Sequence, residues 1–291
     1  TQKMELVQFL YAQHQQRPEE EILVNQTEKA IMSFSRNEPE YGPAQLIASE
    51  FFIQQNEPDL ALETLKRASE VAPEEPEVWS QRLQILFSQQ RYEEVIDLSE
   101  KATEFAPNNA FVLFFTGASY MMTDQYELSA ELLEEASNAP ARRNFRSIIY
   151  GTLGDVLQEL DRWDQASEAY DMALRLDRNN HNALNNYAYF LSDRGENLDE
   201  ALEMAERAIS IEAENAAYLD TIGWIHFKMG NYEEARTYIQ KAVDTGDASA
   251  EVYEHLGDVY RELGDIENAE IWWNRAFELD PDRNHLKERI D

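Results

Sequence analysis

Apolar residues recur along most of this chain three or four residues apart, with polar residues between them, which is the spacing of an amphipathic helix. Residues 250–282 read AEVYEHLGDVYRELGDIENAEIWWNRAFELDPD and hold two such stripes separated by a short turn. This pattern predicts a pair of helices. With only 10 Gly and 9 Pro among 291 residues, a turn-rich β protein is disfavoured, and the chain is predicted to be all-α.

The helix pair repeats along the chain. Placing Gly257 over Gly223 also places Ala276 over Ala242, an offset of 34 residues, and such a period indicates a solenoid. Extended backwards, with one residue inserted near Asn197, this frame predicts seven units over 42–283. The units start near residues 42, 76, 110, 147, 181, 216 and 250.

Small and turn-forming residues recur at fixed positions of the unit. Residues such as Gly117 and Gly257 let the paired helices approach closely, and Asp124 and Gly264 fall at the tight turn, where Asp and Gly tolerate unusual backbone angles. Proline, as at Pro281, ends the second helix because it cannot continue one. Each unit is therefore predicted to be a closely packed, antiparallel helix pair.

This pattern resembles the consensus of the tetratricopeptide repeat (TPR). The last unit carries the consensus residues Tyr253, Leu256, Gly257, Tyr260, Ala269, Trp273, Ala276 and Pro281. The stretch 185–235 is similar to TPR proteins of bacteria, which are often periplasmic or lipoproteins. The resemblance implies a right-handed superhelical solenoid of antiparallel helix pairs, whose first helices line a concave groove that binds proteins or peptides.

The segments outside the seven units keep helical spacing without the repeat signature. Residues 1–41, broken at Arg17-Pro18, are predicted to form a helical pair that caps the array. Residues 284–291 are predicted to begin a truncated C-terminal helix, in a fragment of a longer chain. The connection after Pro140 is longer than usual and carries Arg142, Arg143 and Arg146. We expect a solvated loop there, or a docking point for an acidic group.

Charge and composition exclude several classes of function. The net charge of −32 disfavours nucleic acid and anionic lipid, which both need basic residues. No apolar run reaches the length of a membrane span. There is no Cys, the five His show no metal-binding spacing, and no phosphate loop or nucleophile motif occurs. We therefore predict no enzyme, no cofactor and no metal, and leave the compartment open.

Candidate partner-binding residues follow from the groove that the resemblance implies. They are the side chains at positions two, five, six, nine, twelve and thirteen of the units: Phe111, Phe114, Phe115, Met121, Met122, Asn182, Asn185, Asn186, Tyr189, Asp220, Trp224, Phe227, Lys228 and Arg261. Paired Asn side chains both donate and accept hydrogen bonds, so they could hold a peptide backbone. Tyr189 and Trp224 fit either interface anchors or core aromatics.

The third unit departs from the usual pattern of one apolar stripe per helix. Its first helix, AFVLFFTGASYMM, is apolar on nearly every side, and such a helix should be buried all round. A partner, a second copy of the chain, the N-terminal helices or tight winding of the solenoid could cover it. The leading prediction is an adaptor for an apolar or basic protein or peptide. The alternative is a structural or self-associating module of a larger protein.

Overall fold

The computed structural model describes residues 2–17 and 19–290, and these residues fold into helices joined by short turns. In chain order the helices are α1 Gln2–Gln16, α2 Glu21–Asn37, α3 Gly42–Gln54, α4 Pro58–Val71, α5 Pro76–Ser88, α6 Tyr92–Phe105, α7 Ala110–Met121, α8 Tyr126–Asn138, α9 Arg143–Glu159, α10 Trp163–Leu176, α11 His181–Arg194, α12 Leu198–Ile211, α13 Ala216–Lys228, α14 Tyr232–Asp244, α15 Ala250–Glu262, α16 Ile266–Leu279 and α17 Lys287–Ile290. A 3₁₀ turn, Asn284–Leu286, precedes α17. These residues contain no strand, which confirms the all-α prediction.

The chain divides into two compact units, Thr1–Ala141 and Arg142–Asp291. The first contains α1 to α8 and the second contains α9 to α17. Within each unit, consecutive helices pack as pairs, such as α7 with α8 and α13 with α14. No described helix is both long and apolar enough to cross a membrane.

The seven pairs from α3–α4 to α15–α16 share one turn geometry. The backbone is left-handed shortly after the end of the first helix: two residues after its last residue in most pairs, one residue after it at Gly195 and three at Asp124. These left-handed residues are Asn56, Gln90, Asp124, Asp161, Gly195, Gly230 and Gly264. The next amide donates to the carbonyl five residues back, as Asp265 does to Tyr260 at 2.9 Å. This hydrogen bond ends the first helix and sets the direction of the second.

In four of the seven pairs, close contact depends on glycine at the helix crossing: Gly117, Gly154, Gly223 and Gly257. A Cβ built on Gly223 would overlap Ile239 Cγ1 and would lie 3.1 Å from the carbonyl oxygen of Ala235. A Cβ on Gly257 would likewise overlap the Trp273 ring. Because the obstacle at Gly223 includes backbone atoms, a larger residue there would have to push the two helices apart.

The repeat is longer than usual at two places, and the extra residues extend a turn at one place and a helix at the other. The extra residue near Asn197 lies in the turn, and Asn197 is itself left-handed with φ of 46°. The extra residues after Pro140 lengthen α9, which begins at Arg143 and runs for 17 residues. The expectation of a loop around Arg143 and Arg146 was therefore wrong. The Arg143 guanidinium donates to the Leu176 carbonyl at 2.7 Å, where it satisfies the end of α10.

The segments outside the seven pairs pack against them. Val7 in α1 and Ile31 in α2 are buried in the same apolar cluster as Phe52 in α3. At the other end, Leu286 is fully buried against Trp273 in α16. Thr1, Pro18 and Asp291, which belong to the predicted terminal segments, lie outside the described residues.

Candidate functional site

A cleft of about 280 Å³ lies in the second unit, on the first helices of four consecutive pairs. These helices, α9, α11, α13 and α15, contact one another in that order, so that side chains from equivalent repeat positions converge. Four carboxylates line the cleft, Asp155, Glu159, Asp220 and Glu251, together with amide and hydroxyl groups. Its lining contains no Lys or Arg, and the cleft is therefore strongly acidic.

Asp155 forms one wall with two fixed hydrogen bonds. Its Oδ1 accepts from the Tyr170 hydroxyl at 2.7 Å and from Asn186 Nδ2 at 3.0 Å. Burial nevertheless raises the pKa of Asp155 from 3.8 to about 6, because the two donors only partly compensate for the loss of water. This wall of the cleft therefore becomes fully anionic only above about pH 6.

Asp220 and His255 form a buried pair on α13 and α15. His255 Nδ1 lies 2.9 Å from Asp220 Oδ2. Burial acts to lower the pKa of His255, but the charge and hydrogen bond of Asp220 outweigh it, and the pKa is raised above 6.5. The His255 ring stacks on Trp224 with 3.9 Å between the ring centroids, and Trp224 also stacks on Phe227 at 4.6 Å.

Three buried polar atoms around the cleft have no hydrogen-bond partner among the described residues: Asn185 Oδ1, Asp220 Oδ1 and Trp224 Nε1. All three residues are less than one tenth exposed. Asn185 and Asp220 line the cleft directly, and Asn185 uses its Nδ2 to donate to Asn186 at 3.3 Å. Buried polar groups without partners are rare in native proteins, so these atoms are candidates for contact with a bound partner.

Tyr189 connects α11 to α15 across the cleft. Its hydroxyl donates to Glu251 Oε1 at 2.7 Å, and burial, followed by the charge of Glu251, raises the pKa of Tyr189. On the neighbouring helices, the Tyr218 hydroxyl donates to Asn182 Oδ1 at 2.6 Å. The first of these hydrogen bonds fixes two side chains of the cleft, and the second joins α11 to α13 beside it.

The structure brings together only some of the predicted partner-binding residues. Asn185, Asn186, Tyr189 and Asp220 line the cleft. Trp224 and Phe227 stack beside it, and Lys228 lies 5.0 Å from the Trp224 ring and 3.1 Å from the Asp193 carbonyl oxygen. Asn182 and Arg261 lie outside the lining, and Arg261 pairs instead with Glu262 at 3.1 Å.

The predicted partner-binding set lacks several residues of the cleft, among them Glu251 and Tyr170. Glu251 occupies the second position of its unit, as Asn182 does, so the rule that found Asn182 could have found it. Tyr170 belongs to the second helix, where the repeat pattern predicts core residues. Its ring is buried as that pattern expects, and only the reach of its hydroxyl to Asp155 places it in the cleft.

The predicted apolar residues of the third unit are divided between core and surface. Phe111 and Met122 are exposed, and Phe114 and Met121 are half-buried. Phe115 is only 9% exposed, and its ring lies 5.6 Å from Phe87 of α5. The interpretation of Phe115 as a partner-binding residue was therefore wrong, because it belongs to the core between α5 and α7.

Comparison with known proteins identifies the family of the repeats. A family model described as tetratricopeptide repeat matches residues 52–110, 152–217 and 221–284, which together form more than half of the chain. The TPR repeat-containing protein PA4667 of Pseudomonas aeruginosa is 26% identical over 176 residues, covering 60% of this chain and 29% of that protein. The BBSome complex member BBS4 of Bos taurus is 27% identical over 148 residues, covering 51% and 28%.

The chain thus spans less than a third of the length of these two relatives. Among solved structures, a tetratricopeptide repeat protein from Parabacteroides merdae matches with a TM-score of 0.66 at 17% identity, over 86% of this chain and 97% of that one. The Cut9–Hcn1 structure matches with a TM-score of 0.72 at 12% identity, over 92% and 52%. These matches confirm the predicted TPR solenoid of antiparallel helix pairs. The resemblance to bacterial TPR proteins in particular stays a prediction, since the two relatives described above come from a bacterium and from cattle.

Proposed function

Because the chain belongs to the tetratricopeptide-repeat family, whose members generally act as scaffolds for protein contacts, we propose that it is a non-enzymatic adaptor. It binds a peptide or a partner domain in the cleft formed by α9, α11, α13 and α15. Asn185, Asn186, Tyr189 and Asp220 are the contact residues from the predicted set. Solenoids bind through extended surfaces of this kind, built from equivalent positions of successive repeats.

The observation that carries this proposal is the group of buried polar atoms at the cleft. Asn185 Oδ1 and Asp220 Oδ1 both belong to side chains that line it, and neither has a donor among the described residues. Leaving such an atom without a partner costs about 1–3 kcal/mol. A peptide that supplies donors at this place would recover that free energy, and the preformed tyrosine hydrogen bonds would limit the ordering needed on binding.

One of the relatives fits a role in assembly. The name of BBS4 says that it is a member of a complex, and adaptors commonly hold such complexes together. The strongly negative charge of the chain favours a basic or apolar partner over an acidic one. The cleft would repel an acidic C-terminal peptide, because its lining holds four carboxylates and no Lys or Arg.

Site-directed photo-crosslinking tests the proposal. A photoreactive residue would replace Glu159, which is exposed and lines the cleft, and, as a control, Glu168, which is exposed on α10. The chain would be irradiated in an extract of its source cells. We expect discrete adducts with another protein from position 159 and none from position 168. Equal labelling from both positions would contradict the proposal.

Self-association is the second candidate, and exposed apolar side chains on the N-terminal helices favour it. Leu6 and Phe9 in α1 and Ile22 in α2 are all more than half exposed. Keeping such side chains in water is unfavourable by roughly 25 cal/mol per Å², so a second copy or a further segment of a longer chain could cover them. Sedimentation of the purified chain distinguishes the candidates, because a dimer that becomes monomeric with Phe9→Ser supports self-association.

A further inference from the structure

The cleft has a counterpart one repeat further along the chain, at α15. Asn185, Asp220 and Glu254 occupy the fifth position of three successive units. Each of the three side chains is buried or nearly so and presents oxygen atoms. The first helices of these units pack in order, and the three residues therefore form one row of acceptors on the second unit.

The last member of this row is occupied by the chain's own basic residues. Glu254 accepts hydrogen bonds from Arg283 and, at 2.8 Å, from His285. Arg289 donates to Asp258, four residues after Glu254 on the same helix face, at 2.8 Å. The acidic face of a first helix in this protein therefore does bind arginine side chains, presented by a short segment that crosses it.

The two preceding members of the row each have a buried acceptor without a donor. Asp220 gives only Oδ2 to His255, and Asn185 uses only its Nδ2, so the Oδ1 atoms of both residues lack a donor. The surrounding charge is negative: Asp155, Glu159 and Glu251 face the cleft with Asp220, and His255 already pairs with Asp220.

We infer that the cleft binds an arginine side chain of a partner peptide, whose guanidinium donates to Asn185 Oδ1 and Asp220 Oδ1. Arginine suits this site better than lysine because its planar group carries five N–H donors in a fixed fork, which can reach acceptors on two different helices at once. The inference rests on the proposed function of the cleft and specifies the chemistry of the ligand.

Selection of peptides on the intact chain provides the test. A displayed library of random peptides would be selected on the wild-type protein, and each recovered peptide would be synthesised with arginine and with citrulline, its neutral isostere. Affinities would be measured by titration calorimetry. We expect arginine in the recovered peptides and at least a tenfold loss of affinity with citrulline, the scale of a hydrogen bond between charged groups.

Variants of the chain locate the effect. Asp220→Asn, which can still accept from His255, and Glu251→Gln, which can still accept from Tyr189, should each weaken binding of the arginine peptide at least tenfold. Glu203→Gln removes the same charge from an exposed position on α12 and should leave the affinity within about twofold. Circular dichroism of each variant confirms that it is folded.

The outcomes separate the inference from the proposed function. Peptides that bind in the cleft equally well with citrulline, and lose affinity with Asp220→Asn, would overturn the arginine inference and leave the adaptor proposal standing. Peptides that are weakened equally by Glu203→Gln would show attraction to the net charge alone, which overturns the inference. If no peptide that binds in the cleft is recovered, both the arginine inference and the adaptor proposal are overturned.

Discussion

Replacing Asp155 with Asn should stabilise the protein at neutral pH. The pKa of Asp155 is raised from 3.8 to about 6 in the folded chain, which means that the folded state holds the proton more tightly than the unfolded state does. The stability that this group contributes is therefore fully present below pH 3.8 and is lost as the pH rises through about 6. Asn is neutral throughout and keeps an oxygen that can accept from Tyr170 and Asn186.

The magnitude follows from the shift. At about 1.4 kcal/mol per pH unit, a rise from 3.8 to about 6 corresponds to at most about 3 kcal/mol. Urea unfolding followed by far-UV circular dichroism should show Asp155→Asn more stable than wild type by up to that amount at about pH 7.5, and by about half of it at about pH 5. The advantage shrinks because wild-type Asp155 becomes protonated.

A matched variant removes the effect of net charge. Glu168 is an exposed residue of α10, the helix that packs against α9, and the matched variant is Glu168→Gln. It lowers the negative charge equally but should change the unfolding free energy by no more than about 0.5 kcal/mol. If Asp155→Asn gains no more than Glu168→Gln at about pH 7.5, or if its advantage is the same at both pH values, then burial of the Asp155 carboxylate does not destabilise the fold.

Three further predictions concern packing and charge. Gly223→Ala should lower the unfolding free energy, because overpacking costs about 1–3 kcal/mol. Gly151→Ala should raise the unfolding free energy by about 0.5–1 kcal/mol, because its Cβ would lie 3.4 Å from Ala183 Cβ, without overlap. Urea unfolding of both variants checks the difference. Phe115→Ser should destabilise the protein by at least about 3 kcal/mol. Phe111→Ser should destabilise it by much less, because the Phe111 side chain is 44% exposed. Similar unfolding midpoints for the two variants would contradict the assignment of Phe115 to the core. Raising the ionic strength from about 0.01 M to about 0.15 M should raise the melting temperature, because the screening length falls from about 30 Å to about 8 Å around a chain of charge −32; a lower melting temperature at the higher salt would count against this.

The helices and their turns could be predicted because the information is local. The periodicity around Gly257 and Gly223 and the turn residues such as Asp124 and Gly264 need no knowledge of distant parts of the chain. The start of α9 was less predictable. Arg143 was assigned to a loop because it follows Pro140. Its actual role is a hydrogen bond to the end of α10, at a residue 33 positions along the chain.

The candidate site could be predicted only in outline. Phe111 and Phe115 are both apolar and lie on the same helix, yet Phe115 packs against Phe87 from another repeat while Phe111 is 44% exposed. Repeat positions led to Asn185 and Asp220, but their unpartnered oxygen atoms result from distances between side chains on different helices. Periodicity indicates which face a residue occupies, and it carries no information on whether a particular atom finds a donor.

The left-handed turn residues of the seven helix pairs offer a route for engineering. Three of them are glycine, and the others are Asn56, Gln90, Asp124 and Asp161. A left-handed conformation is unfavourable by about 1–2 kcal/mol for an ordinary residue such as Gln90 and by less for Asn and Asp, and glycine removes most of that strain. Because none of these four residues lines the acidic cleft, glycine there would add thermal tolerance while the recognition surface stays as it is, so that stability and specificity of this array can be redesigned separately.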